Sequence, residues 1–174
     1  MPNLNPNLAA TIPPPVMEAR RWIADATFTP DRPLLNLSQA APADPPPAPL
    51  RQAMADIVMT DPAAHMYGDV LGLPALRDRV AADWTRDYGG TVRADQVAIT
   101  SGCNQAFAAA IATLARDGDN VILPVPYYFN HKMWLDTVGV DARILDTGDD
   151  LLPGRDLPRF SRGRWRAACV VHGP

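Results

Sequence analysis

Residues 100–105, Thr-Ser-Gly-Cys-Asn-Gln, are the first segment whose residue types could do chemistry. They lie between a short apolar run and a pattern typical of a helix. The start of a helix presents backbone N–H groups and the positive end of a dipole, so a loop of small residues there can hold a phosphate. Gly102 would let the backbone approach the anion. Ser101 or Asn104 could add donors, or could instead only cap the helix, which the residue types alone favour.

Consecutive aromatic residues form a second candidate segment, residues 126–131, Pro-Tyr-Tyr-Phe-Asn-His. They follow another apolar run, and open α/β sheets bind ligands at the ends of their strands. Aromatic side chains there could stack on a flat heteroaromatic ring. The alternative, with Tyr127 and Phe129 in the core and Tyr128 partly exposed, fits the sequence equally well.

Tyr67-Gly68-Asp69 begins a third segment, which ends in Gly72-Leu73-Pro74. Taken alone, this segment indicates a turn that leads into a helix, and Tyr67 would be a packing residue.

Periodic apolar spacing predicts the elements that would position these segments. Residue 61 precedes a proline and so ends a helix, Pro74 suits a first helical turn, and Gly89 follows the last periodic position. The predicted helices are 16–26, 50–59, 73–88, 129–138 and one after residue 102 carrying Phe107, Ala110, Ile111 and Leu114; the predicted strands are 96–100, 121–123, 142–145 and 167–171. Strands that alternate with helices indicate an α/β layered sheet.

Prolines divide the chain unevenly, since 12 of the 19 lie within residues 2–49. We therefore expect an N-terminal arm over residues 1–49, extended from 42 to 49, because each proline removes a backbone donor. Residues 50–174 would form the sheet domain.

Composition excludes several classes of function. A net charge of −3 with no long run of one sign suggests neither a nucleic acid nor a membrane partner. Two cysteines, Cys103 and Cys169, are too few for a disulfide framework, so we expect reduced thiols in the cytoplasm. No targeting signal and no apolar span of about 20 residues is evident.

The chain resembles the class I/II aminotransferases, which are fold type I enzymes dependent on pyridoxal 5′-phosphate. Five pieces carry the resemblance in the family's order: residues 36–42, Asn-Leu-Ser-Gln-Ala-Ala-Pro; Tyr67 with residues 72–77; residues 100–107; Gly118-Asp119 with residues 121–128; and Asn130-His131. It implies a three-layer αβα large domain, incomplete in this chain, behind the proline-rich arm.

The resemblance also implies which residues bind the cofactor. The backbone amides of Gly102, Cys103 and Asn104 would hold its phosphate. Tyr128 would stack on the pyridine ring, and His131 would support an aspartate paired with the pyridine nitrogen.

The implied partners are an amino acid, a 2-oxo acid and a second subunit. Tyr67 would reach across a homodimer interface to the partner's cofactor phosphate, while Ser38, Gln39 and Ala40 would lie near the substrate carboxylate. The implied activity is transfer of an amino group between the two substrates.

One departure from the family concerns the lysine that forms the Schiff base with the cofactor. The only lysine is Lys132, which does not match that position and is expected to be an exposed helix residue. No catalytic residue is therefore predicted, and we expect this chain to be inactive alone. Because the arginine-rich residues 155–166 match the family poorly, we expect a truncated or frameshifted reading frame.

Two alternatives remain open: a lyase on the same scaffold, and a non-catalytic remnant or binding module that keeps only the phosphate site. A nicotinamide dehydrogenase is disfavoured because Gly-x-Gly-x-x-Gly is missing after the first strand. The histidines and cysteines lack zinc-ligand spacing, so no metal site is predicted. An incomplete sheet would expose apolar surface, and we expect poor solubility.

Overall fold

The computed structural model describes residues 3–39 and 41–148, which form two compact units. One unit comprises residues 35–100, and the other joins residues 3–34 to residues 101–148. Ala40, the arginine-rich stretch and the strand predicted at 167–171 lie outside the described residues.

Six α-helices and two strands make up the regular structure of the described residues. They are α1 (Pro6–Ala10), α2 (Pro15–Trp22), α3 (Ala48–Thr60), α4 (Pro74–Tyr88), α5 (Cys103–Leu114), β1 (Asn120–Val125), α6 (Phe129–Thr137) and β2 (Asp141–Asp146), with 3₁₀ turns at Pro62–His65 and Ala94–Gln96. The predicted helices and the last two predicted strands within this range are confirmed, although α2 ends earlier and α3 starts earlier than expected. Residues 48 and 49 are therefore helical rather than extended. Helix α1 was not predicted.

Local signals fix the ends of α4. Pro74 occupies its first turn, where the missing N–H of proline costs nothing, and Gly89 ends it in the left-handed conformation with φ of 69°. The rings of Trp84 and Tyr88 pack against each other on its surface, with centroids 4.6 Å apart and planes tilted by 31°.

The strand predicted at residues 96–100 is wrong, because its backbone groups bond elsewhere. Gln96 ends a 3₁₀ turn, and the Val97 carbonyl accepts from Arg77 Nε at 2.8 Å. The Ile99 N–H donates to the carbonyl of Leu71 at 2.9 Å. The segment is thus held against α4 and a loop, and no strand ladder includes it within the described residues.

A parallel strand pair with a helical crossover forms the core of the other unit. β1 pairs with β2 from Asn120↔Asp141 to Val125↔Asp146, and α6 connects them, as a parallel pair requires. The buried cluster contains Phe107 and Ile111 of α5, Val121 and Leu123 of β1, Leu135 of α6, and Val140. The α/β class is confirmed, and this core fixes where α5 and α6 begin.

Candidate functional site

The backbone at the start of α5 adopts a conformation reserved for glycine. Gly102 has φ of 86° and ψ of 167°, a region that side-chain-bearing residues rarely enter. A Cβ placed there would meet no atom within 4 Å, and all of residues 101–106 are exposed. The helix start is therefore open to solvent and approachable by a ligand.

Side-chain capping of α5 by Ser101 or Asn104 is wrong. The residue in the capping position is Gly102, which has no side chain with which to cap the helix. Instead the backbone N–H of Ser101 donates to Gln105 Oε1 at 2.5 Å, which closes the loop on itself. The amide of Ser101 is thus used internally, and Cys103 and Asn104 start the first helical turn with exposed side chains.

The aromatic segment places Tyr128 immediately before α6. Tyr128 has extended backbone angles, φ of −74° and ψ of 121°, and a half-buried ring. Tyr127 is exposed and Phe129 is only half-buried, so the alternative with both of these rings in the core is wrong. The Tyr128 and Phe129 rings tilt against each other at 4.9 Å.

His131 lies between the two helices. It is buried, with 3% of its surface exposed, and its imidazole stacks on Phe107 of α5 at 4.0 Å with an interplanar angle of 18°. The ring of Tyr128 and the same imidazole form a T-shaped pair, with centroids 5.6 Å apart and planes at 84°. The ring of Phe107 therefore couples the helix that begins after Gly102 to the helix that begins after Tyr128.

Two amide side chains at this site have contacts for which the sequence predicted no role. Gln105 holds the loop, and Asn130 Nδ2 donates to the hydroxyl of Tyr128 at 2.8 Å. Gln105 and Asn130 both lie inside the two segments that the sequence analysis identified, and this position was the only sign of their contacts. An amide side chain at the surface usually has no special role.

An open cleft of about 280 Å³ is lined by Asn104, Phe107, Asn130, Met133, Trp134 and Thr137. The starts of α5 and α6 thus contribute to one cleft.

The other predicted site residues belong to the unit of residues 35–100. The side chain of Tyr67 is fully exposed, which excludes a packing role within this chain. Both the N–H and the hydroxyl of Ser38 donate to Asn36 Oδ1, at 3.1 and 2.7 Å. The carbonyl of Gln39 accepts from Ala41, and Gln39 is exposed.

Lys132 is a helix residue, as expected, but it is only partly exposed. Its Nζ donates to both carboxylate oxygens of Asp136, at 2.5 and 2.7 Å, and about one third of each side chain is exposed. The pair spans one turn of α6, the usual spacing of a helical ion pair. The amine is therefore engaged by its own helix.

The described residues lack two features that would indicate other kinds of function. No cluster of three or more histidine, cysteine, aspartate or glutamate side chains there could hold a metal ion. Among the same residues, no helix has the length and apolar character needed to cross a membrane.

Comparison with known proteins gives one family. The family model for aminotransferase class I and II matches residues 32–149. An aspartate aminotransferase of Streptomyces avermitilis is 37% identical over 97 residues, 56% of this chain and 24% of that protein. A valine–pyruvate aminotransferase of Mycobacterium tuberculosis is 35% identical over 109 residues, 63% of this chain and 28% of that protein.

Solved structures agree with these sequence matches. The crystal structure of an aminotransferase from Mycobacterium tuberculosis superimposes with a TM-score of 0.70 and 28% identity, covering 86% of this chain and 38% of that one. This chain spans about a quarter of the length of the curated relatives described above.

Proposed function

This chain belongs to the class I and II aminotransferases, and from that membership we propose that the protein transfers an amino group between an amino acid and a 2-oxo acid, with pyridoxal 5′-phosphate as cofactor. The observation that carries the proposal is the exposed helix start behind Gly102, joined through Phe107 and His131 to the ring of Tyr128. The two relatives described above are named for different amino acids, aspartate and valine, so we propose an amino acid substrate without naming which one.

The residues present fit a flat ring that carries a phosphate. Space for an anion is supported by Gly102, where a Cβ would occupy otherwise open volume. A half-buried aromatic face for the ring is supported by Tyr128. When bound, pyridoxal 5′-phosphate supplies an aldehyde that accepts the amino group and a ring that draws electrons from the reacting carbon.

We propose the following roles for the residues at the helix starts. The amides of Gly102, Cys103 and Asn104 bind the phosphate, helped by the positive end of the α5 dipole. Tyr128 stacks on the pyridine ring and excludes water from one face. His131 orients an aspartate beside the pyridine nitrogen, a role that suits a buried imidazole fixed by two aromatic rings.

Further residues are proposed to act at a subunit interface and at the substrate. The full exposure of Tyr67 supports a role outside its own chain, namely reaching the cofactor phosphate of a second subunit in a homodimer. Ser38, Gln39 and Ala40 are proposed to lie near the substrate carboxylate. The hydrogen bonds from Ser38 to Asn36 support a preformed turn at that position.

We also propose that these 174 residues by themselves bind the cofactor without transferring amino groups. The sequence holds one lysine, and Lys132 is engaged by Asp136 rather than directed to a cofactor aldehyde. Cytoplasmic location is proposed from the scarcity of cysteine.

A titration of the 174-residue chain with pyridoxal 5′-phosphate tests both proposals. We expect saturable binding that inorganic phosphate competes for, and a cofactor absorbance spectrum that is the same for the wild type and Lys132→Ala. Absence of saturable binding would contradict the cofactor assignment. A spectral change present in the wild type and lost in Lys132→Ala would instead contradict the proposal that Lys132 does not react. Lys132→Arg, which keeps the ion pair, separates loss of the amine from loss of the contact with Asp136.

A further inference from the structure

The hydroxyl of Tyr128 has a partner within its own segment. Asn130 Nδ2 donates to it at 2.8 Å across two residues, a good distance for a hydrogen bond. Asn130 lies in the first turn of α6, yet α6 has no side-chain capping bond at Tyr128. Within the described residues, the amide is therefore directed to the phenol rather than to the helix end.

Three contacts act on the same tyrosine. The Tyr128 carbonyl accepts from the backbone N–H of His131 at 2.9 Å. The Tyr128 ring forms a T-shaped pair with the His131 imidazole at 5.6 Å and tilts against the Phe129 ring at 4.9 Å. These contacts fix the position of the ring. They restrain its rotation about its long axis only weakly, because the χ2 angle of tyrosine has a broad energy minimum. The hydroxyl oxygen lies on this rotation axis, but a donor to a phenol oxygen prefers to approach in the plane of the ring. The hydrogen bond from Asn130 Nδ2 therefore favours the ring orientation whose plane contains the donor.

The plane of the ring decides how well it stacks. Aromatic pairs prefer offset or edge arrangements with defined angles, and a platform that is already oriented loses less entropy when a ligand binds. We propose that Asn130 is a positioning residue, which fixes the plane of the Tyr128 ring through the Asn130–Tyr128 hydrogen bond for stacking on the cofactor. This inference rests on the proposed function and deepens it.

A double-mutant cycle with Asn130→Ala and Tyr128→Phe isolates the bond. Tyr128→Phe keeps the stacking ring and removes only the acceptor, so it should reproduce the effect of Asn130→Ala. Without the bond, the ligand must itself immobilise the ring, which costs about 1 kcal/mol for one side chain, so each variant should bind pyridoxal 5′-phosphate about five-fold more weakly. In the double variant the second change should add nothing, which a general structural defect would not produce.

Two further readouts separate positioning from damage. Inorganic phosphate should bind all four proteins equally, because the amides that hold it lie on α5. The circular dichroism induced in the bound cofactor should change in both single variants, since it reports the angle between the two rings. Far-ultraviolet circular dichroism checks that each variant is folded, and Tyr128→Phe keeps the test valid if Asn130→Ala is unfolded.

The outcomes for the two proposals are distinct. If the wild type binds the cofactor and both single variants bind it equally well, the positioning role is overturned and the proposed function stands. Additive losses in the double variant would also overturn it. If the wild type binds inorganic phosphate but no cofactor, the proposed function and the positioning role both fail.

Discussion

The ring of Phe107 stacks on the imidazole of His131 with centroids 4.0 Å apart and planes 18° from parallel. Phe107 is buried in the core, four residues into α5, while His131 is buried in the first turn of α6. The buried contact between Phe107 and His131 therefore sets the separation between the start of α5, next to Gly102, and the aromatic ring of Tyr128.

Phe107→Leu should uncouple the two helices with a modest loss of stability. We expect the free energy of unfolding to fall by about 1–2 kcal/mol, because the aromatic pair is lost while most apolar volume is kept. Ile111→Val, equally buried on the same helix, is the control and should cost about 1 kcal/mol. Urea unfolding measures the stability of each variant, and cofactor titration measures its affinity for pyridoxal 5′-phosphate. Cofactor binding should weaken only in Phe107→Leu; equal weakening in the two variants would contradict the coupling.

Gly102→Ala should weaken cofactor and phosphate binding. The added Cβ meets no protein atom but would occupy the open volume where we place the phosphate, and the backbone angles become strained. We expect a dissociation constant raised at least about tenfold and a stability cost of about 1–3 kcal/mol.

Gly118→Ala provides the matched control for Gly102→Ala. Gly118 also has a positive φ, 80°, and open surroundings, but lies in the turn between α5 and β1. It should lose comparable stability in thermal unfolding and keep its affinity for inorganic phosphate. Retained affinity in Gly102→Ala would argue against the anion site.

Gly72→Ala should destabilise the unit of residues 35–100. The new Cβ would lie 2.6 Å from the Cβ and 2.7 Å from the Cγ1 of Ile99, and φ at Gly72 is 94°. Gly89 also has a positive φ, but a Cβ added there would meet nothing within 4 Å. The difference between Gly72→Ala and Gly89→Ala therefore measures the cost of the clash with Ile99. We expect Gly72→Ala to cost about 1–3 kcal/mol more than Gly89→Ala in urea unfolding followed by tryptophan fluorescence. Equal costs would mean that the Ile99 segment moves away freely.

Asp83 should make stability depend on pH in the acid range. Hydrogen bonds from Arg79 and then Arg86 hold the pKa of its carboxyl below the ordinary value of 3.8. Because the folded-state pKa is lowered, the stabilisation is present above the unfolded-state pKa and is lost as pH falls through the folded-state value. In urea unfolding, Asp83→Asn should be less stable than the wild type at about pH 7, and the difference should vanish near pH 2.

Asp78→Asn is the control for Asp83→Asn, since Asp78 lies on the same helix and takes part in none of the salt bridges among the described residues. A pH-independent difference for Asp83→Asn would show that the ion pairs with Arg79 and Arg86 do not contribute.

The exposed apolar side of α3 should make the chain self-associate. Leu50, Met54, Ile57 and Val58 are each more than half exposed, at helical spacing, and α3 has no buried residue. Met54→Lys should lower light scattering at equal concentration, because a charge interrupts the apolar surface. Gln52→Lys adds the same charge on the same helix and should have a smaller effect. A monodisperse wild-type monomer would contradict this prediction.

Local sequence signals were sufficient for most of the elements. The start of α4 at Pro74 and its end at Gly89, the apolar face of α5 and the two strands all follow from spacing and from the backbone limits of proline and glycine. These properties act within a few residues, so they can be predicted without knowing what the segment touches.

Contacts between segments decided the rest. The sequence could not show that Val97 and Ile99 bond to Arg77 and Leu71 instead of forming a strand, because those partners are distant in the chain. It could not choose between a stacking and a buried role for the aromatic residues near Tyr128, since either placement satisfies an apolar ring. The stack of Phe107 on His131 exists only once the core has brought α5 and α6 together, because tertiary packing determines which rings meet.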